Sequence, residues 1–173
     1  MLVVRYAAGE WGVGELWLDG DIPVWHDLPT PARAHPPKGA ASPPAVTLAE
    51  PGARNWGKNV PEVARRLSRY FTGERVSFAD VEIDLDWCTP LQRALVEAIR
   101  TIGYGETVTY GELAALAGRP RAPRAAGALC SNNRLPLILP CHRVLAAGGL
   151  GEYGSLGVEY KRRLLELESG AAL

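Results

Sequence analysis

Six prolines crowd the stretch from Pro29 to Pro44, at positions 29, 31, 36, 37, 43 and 44. Each removes a backbone donor and fixes φ, which blocks a helix interior and an inner strand. A mobile loop or linker is therefore expected there. It lies within a first part, residues 1–84, that otherwise reads as strands. Leu2–Tyr6, Gly14–Asp19 and Ile22–His26 are short runs rich in Val, Leu and Trp. Asp19-Gly20-Asp21 has the chemistry of a hairpin turn. Pro61 to Phe71 fits a helix, with Pro61 in the first turn, Gly73 past the end and Val63, Leu67 and Tyr70 on one face. Val81 to Asp86 alternates apolar and acidic residues, which predicts a half-buried strand.

From Trp87 the texture turns helical, and residues 85–173 read as a second domain. Thr89 and Pro90 are placed to open a helix whose core residues are Leu91, Leu95, Ala98 and Ile102. Thr109 and Glu112 have capping-box spacing, and the helix they start should end at Gly118. A turn through Pro120 and Pro123 leads to a further helix, Arg124 to Ser131, which predicts a helix-turn-helix. Val158 to Glu168 is a last helix, with Val158, Leu164, Leu165 and Leu167 as its apolar residues.

The formal net charge of the 173-residue chain is zero, so overall charge points to no polyanionic partner. The local pattern does. Between residues 119 and 143 the only charged residues, histidine aside, are Arg119, Arg121, Arg124, Arg134 and Arg143. Such a run suits a phosphate backbone, and equally a plain solvated basic face. The three cysteines, Cys88, Cys130 and Cys141, are an odd number without a CxxC pair. That argues against a disulfide framework or a thiolate zinc site and for reduced thiols. The start lacks a signal-peptide core, and no apolar run reaches membrane-spanning length. A soluble cytoplasmic protein is expected.

The chemistry concentrates in Leu135-Pro-Leu-Ile-Leu-Pro-Cys141-His142-Arg143-Val144. The apolar run should be extended and buried, with a thiol at its end. A free thiol ionises near pH 8.5 and needs help to react. His142 can take its proton, and a carboxylate would fix the imidazole tautomer. Glu159, Glu166 and Glu168 of the last helix are the candidates. A lone buried cysteine is otherwise a small hydrophobe, and Cys130 is read as packing.

Pro140-Cys-His-Arg-Val144 resembles the active-site signature of the O6-alkylguanine-DNA alkyltransferases, the methylated-DNA–protein-cysteine S-methyltransferases. Tyr104 to Gly118 is similar to the first helix of their DNA-binding motif. Arg124-Ala-Ala-Gly127 resembles the start of their recognition helix. Asn133 stands eight residues before the cysteine, as their hinge asparagine does. Lys161 to Glu168 is similar to their closing helix. The likeness covers about residues 87–168.

The resemblance implies an α/β (α+β) fold, with a strand-rich, ribonuclease-H-like N-terminal domain. A helical C-terminal domain with a winged-helix-like helix-turn-helix would follow. It implies a transferase that moves the alkyl group of O6-alkylguanine in double-stranded DNA irreversibly onto Cys141, after base flipping, in a single turnover. The implied catalytic residues are Cys141, His142, Glu168, Asn133 and Tyr110. DNA would be met through the minor groove by Arg124, Tyr110, Ala125, Ala126, Gly127 and Arg134, with Arg124 filling the vacated stack. Val144, Tyr153, Gly154, Ser155 and Pro136 would line the guanine pocket, and the carbonyls of Cys141 and Val144 would accept from the guanine amino group. No cofactor, metal or membrane is implied, and a monomer suffices.

Three departures from the family pattern stand out. Gly151-Glu-Tyr153 puts Glu152 where the family has glycine or asparagine. The loop Tyr153 to Gly157 differs in length, which leaves open whether the amide of Gly154 or of Ser155 faces O6. No cysteine precedes Cys88, and His26 and His35 read as surface or loop histidines, so the zinc site of some members is not expected. The rival readings are a non-catalytic protein that binds alkylated DNA, against which Cys141 argues, and a Cys-His-Glu hydrolase, in which a basic helix-turn-helix has no place.

Overall fold

A computed structural model of the chain describes residues 2–31, 45–47 and 61–170. They fall into two compact units, Met1–Val76 with Asp80–Asp84 and Ser77–Ala79 with Leu85–Leu173.

The first unit holds β1 (Leu2–Ala7), β2 (Val13–Asp19), β3 (Ile22–Thr30), β4 (Ala45–Thr47) and α1 (Glu62–Tyr70). The sheet order is β3-β2-β1-β4. β1 and β2 pair antiparallel, as do β2 and β3, whereas β4 runs parallel to β1. Asp19 pairs with Ile22 across the two-residue turn expected at Gly20. β3 runs four residues further than its apolar run, through Pro29, and also contains Pro23. Prolines are tolerated there because β3 is an edge strand. The remainder of the proline-rich segment, residues 32–44, lies outside the described residues, as does His35.

α1 covers β1 with its predicted face: Val63, Leu67 and Tyr70 are buried, and Ser68 Oγ donates to Ala7 O at 3.0 Å. Tyr6, Trp11, Tyr70 and Phe71 form an aromatic cluster beside it. His26 is not a surface histidine. It is 2% exposed and its Nε2 lies 2.6 Å from the Tyr6 hydroxyl. The Tyr6 ring crosses Gly14 so closely that a Cβ there would sit 2.4 Å from it, so only glycine fits.

Where the chain passes from the first unit to the second, Val81, Ile83 and Leu85 are half-buried between exposed acids, as the alternation requires, yet residues 81–86 join neither sheet among the described residues. Alternation reports which side chains turn inward; a strand also needs a partner in a sheet.

α2 (Pro90–Ile99) opens on a capping box, in which Thr89 Oγ1 accepts from Gln92 N and Gln92 Oε1 from Thr89 N. Leu95 and Ala98 are core, Leu91 is half-buried, and Ile102 is buried just past the helix end. β5 (Val108–Thr109) leads into α3 (Tyr110–Leu116), whose capping box joins Thr109 and Glu112 as expected. α3 packs on α4 (Pro123–Ser131) through Leu113, Ala114, Ala126 and Leu129, which forms the helix-turn-helix. β6 (Val144–Leu145) pairs parallel with β5, Val108 beside Val144. That pairing ties the start of α3 to the residues just after Cys141. α5 (Gly157–Ser169) closes the unit with Tyr160, Lys161, Leu164, Leu165 and Glu168 buried. Val158, expected on its apolar face, is 44% exposed, and Leu167 is half-buried.

Candidate active site

The apolar run before Cys141 is buried but not extended. Leu139 N donates to Leu135 O at 2.8 Å, and Pro136 bridges to Leu139, so the chain folds back on itself. Leu137 stands at the bend with φ +72°, unusual for a side chain of this size. Pro136 and Pro140 lack the N–H groups that a sheet ladder would need, and their spacing favours the bend. Cys141 to Arg143 then form one tight 3-10 turn, held by Cys141 N to Leu139 O at 2.8 Å and Arg143 N to Pro140 O at 3.0 Å. All three side chains are buried.

Asn133, just past α4, organises the thiol. Its Nδ2 donates to Leu139 O at 2.8 Å and to Cys141 Sγ at 3.0 Å, and its Oδ1 accepts from Leu135 N at 2.9 Å. All three contacts are mutually consistent only with the amide in this orientation. Burial pushes the thiol up from its ordinary value. The hydrogen bond from Asn133, the nearby Tyr153 side chain and the charge of Lys161 oppose that rise.

The imidazole is set by a carboxylate. His142 Nε2 lies 2.7 Å from Glu168 Oε1, and both side chains are almost wholly inaccessible. Of the three candidate carboxylates, the structure brings Glu168 to the site; Glu159 instead pairs with Arg162 at 3.4 Å on the surface. Arg143 grips the same carboxylate with Nε at 2.9 Å from Oε2 and Nη2 at 2.8 Å from Oε1, and its Nη1 donates to Ile102 O at 2.7 Å. Gly105 N completes the carboxylate's contacts at 3.0 Å. Burial works against ionised Glu168, but His142 and Arg143 hold it well below the usual carboxylate range. Burial, with Arg143 and Lys161, outweighs Glu168 and holds His142 below its ordinary value, hence neutral. An ionised Glu168 accepts the Nε2 proton, so Nδ1 is the basic nitrogen.

Arg143 therefore does not belong to the basic surface stripe; it is 7% exposed and committed to Glu168. Arg119, Arg121, Arg124 and Arg134 remain exposed, and Arg134 lies over the Trp87 ring at 5.5 Å. On α4, Ala125 and Gly127 are half-buried, whereas Ala126 is fully buried among core residues. The helical period turns 126 and 129 inward together.

Tyr110, the first residue of α3, is half-buried. Its hydroxyl is pushed up by burial and by the neighbouring thiols and Glu152. A Cβ on Gly151 would stand 3.4 Å from that hydroxyl, so the 151–157 loop passes beside it. Tyr153 is half-buried and stacks on Tyr160 with centroids 6.2 Å apart, while Gly154 and Ser155 are exposed in a short 3-10 turn. Pro136 is half-buried and Val144 fully buried. The Val144 carbonyl already accepts from Lys161 Nζ at 2.6 Å. Lys161 and the Arg143 clamp were not legible as site residues, because each acts through a partner distant in sequence. Among the described residues no group of three or more His, Cys, Asp or Glu is placed to hold a metal, and no helix is long and apolar enough to cross a membrane.

Residues 90–170 match the family model of the 6-O-methylguanine DNA methyltransferase DNA binding domain. A methylated-DNA–protein-cysteine methyltransferase of Methanopyrus kandleri is 43% identical over 111 residues, 64% of this chain and 82% of that protein. One of Mycobacterium bovis is 47% identical over 108 residues, 62% of this chain and 64% of that protein. The crystal structure of Mycobacterium tuberculosis OGT in complex with DNA superposes with a TM-score of 0.72 at 31% identity, over 99% of this chain and 96% of that one. The mixed sheet-and-helix architecture is thus shared along nearly the whole chain.

Proposed function

Since this chain belongs to the methylated-DNA–protein-cysteine methyltransferases, we propose that it repairs double-stranded DNA by taking the alkyl group of O6-alkylguanine, chiefly methyl, onto Cys141 Sγ. The observation that carries this reading is the buried thiol held by Asn133 at 3.0 Å at the foot of α4, beside the His142–Glu168 pair. A thiol so enclosed meets O6 only if the nucleotide leaves the stack, at a cost of a few kcal/mol. Exposed Arg124 at the start of α4 fills the gap. Ala125 and Gly127 let α4 approach the minor groove closely, and Arg134 meets the backbone. Tyr110, Pro136, Val144, Tyr153, Gly154 and Ser155 surround the extruded base.

The steps balance as follows. The thiol proton passes through a bridging water to His142 Nδ1, with Glu168 holding Nε2. Thiolate sulfur attacks the alkyl carbon, the new S–C bond forms, and the C–O6 bond breaks with its electron pair on guanine. The Tyr110 hydroxyl, kept protonated by burial, donates to the departing base. His142 then returns its proton through water to the tyrosinate, so the net change moves the thiol's proton to guanine and leaves both side chains as they began. The product thioether is a poor alkyl donor, and Cys130, pushed up to about 12 chiefly by burial, is no nucleophile to relieve it. The protein therefore acts once.

Within this reading the chain divides at residues 84 and 85. The β1–β4 sheet with α1 supports a ribonuclease-H-like first domain, and the β5–β6 pair beside α3 and α4 supports a winged-helix-like second one. The protein acts as a cytoplasmic monomer without cofactor or metal. The test is intact mass after incubation with a duplex carrying O6-methylguanine. One methyl group per chain, mapped to Cys141 and absent in Cys141→Ala, is expected. Duplex binding without mass gain would leave a lesion-binding protein instead, and repeated turnover on an activated ester would point to a hydrolase.

A further inference from the structure

Two cations are buried in the second unit, and they are treated differently. Arg143 has Glu168 as its counter-ion. Lys161 is 1% exposed, donates to the neutral carbonyl of Val144 at 2.6 Å, and has no carboxylate partner among the described residues. A buried ammonium without a counter-ion is costly, and cores generally lose nothing when an apolar chain replaces one. Burial pushes the Lys161 ammonium below its ordinary value, and what opposes this is the negative charge that the thiols of Cys141 and Cys130 would carry. Cys130 stays protonated, which leaves Cys141 as the thiol whose anion Lys161 would face.

We propose that Lys161 is the counter-charge of the Cys141 thiolate: its ammonium, anchored on the Val144 carbonyl and paired with no carboxylate, stabilises the anion that attacks the alkyl carbon. The inference rests on the alkyl-transfer reading. It makes Lys161 a positioning residue that acts through Cys141. The titratable groups whose charge bears on the thiol or its surroundings are Tyr110 of α3, Cys130 of α4, Tyr153, and His142 with Glu168 and Arg143. Glu168 and Arg143 neutralise each other, His142 stays neutral, and burial keeps the Tyr110 hydroxyl protonated. Lys161 is the positive charge left over.

The experiment compares wild type with Lys161→Met and Lys161→Arg in single-turnover methyl transfer from the O6-methylguanine duplex, from about pH 6 to 9, around the ordinary thiol value. Thermal unfolding is followed alongside. Lys161→Met removes a lone buried charge but also takes the donor from the Val144 carbonyl, so its unfolding should move little either way. Its transfer at neutral pH should fall at least about tenfold, the effect of one unit in the thiol, and the deficit should close as pH rises. Lys161→Arg should keep the wild-type profile. A Lys161→Met rate that is unchanged, or depressed equally at every pH, overturns the counter-charge role. Should that variant not fold, the same profile is read on Lys161→Gln. Wild type that never takes up the methyl group overturns the alkyl-transfer reading itself, and that result is distinct from either of the others.

Discussion

Glutamine in place of Glu168 is nearly isosteric, yet it cannot satisfy the cluster. Oε1 accepts from His142 and from Arg143 Nη2; Oε2 accepts from Arg143 Nε and from Gly105 N. Arg143 presents an N–H to both oxygens, so either orientation of the amide sets its NH2 against a donor. The guanidinium is also left without a counter-ion. Breaking a buried pair by removing one charge costs about 3–5 kcal/mol. In a unit of this size each kcal/mol lowers Tm by about 4–8 °C, so Glu168→Gln should unfold at least about 12 °C below wild type at neutral pH. Because Glu168 sits below its ordinary value of 4.5, its contribution is complete above that pH. It is lost as pH falls through the lower folded value. The gap between variant and wild type should therefore hold from neutral pH down to about 4.5 and narrow below it. Thermal unfolding by circular dichroism in matched buffers measures both. A variant within about 4 °C of wild type at neutral pH, less than 1 kcal/mol costs on this scale, refutes the clamp as described.

Two further substitutions probe the helix-turn-helix and its link to the thiol. Asn133→Ala strands the buried Leu135 N–H, whereas the Leu139 carbonyl keeps Cys141 N as a donor. It should cost about 1–3 kcal/mol of stability in urea unfolding, and it should slow methyl transfer as well. Gly127→Ala adds a Cβ that meets nothing within 4 Å and should stabilise α4 by roughly 0.5–1 kcal/mol. If α4 approaches DNA at this position, the same change weakens duplex binding by a Cys141→Ser protein; unchanged anisotropy titrations would exclude that approach.

What the sequence announced was mostly local. Both capping boxes could be read because donor and acceptor stand three residues apart. Cys141 and His142 could be read because they are adjacent, whereas the residues alone left Glu159, Glu166 and Glu168 open and the family resemblance singled out Glu168. Features that depend on distant partners could not. Arg143 looked like surface charge because Glu168 lies 25 residues on, and His26 looked like a loop residue because Tyr6 lies 20 residues back. Ala126 was read from its neighbours' smallness, but the helical phase turns it inward. The apolar run 135–139 carried a correct burial signal and a wrong conformation, since burial does not distinguish a strand from a bend that two prolines impose. Lys161 stood among ordinary helix charges until the fold buried it.

The order of the chain has a consequence for synthesis. Translation delivers Cys141 and His142 before α5, and the carboxylate that orients His142 and the ammonium held on the Val144 carbonyl both come from α5. A nascent chain that has emerged only through residue 145 carries the acceptor without the groups that ready it. Under the proposed alkyl transfer, the thiol is thus kept unready on the ribosome and becomes competent only when the last helix docks.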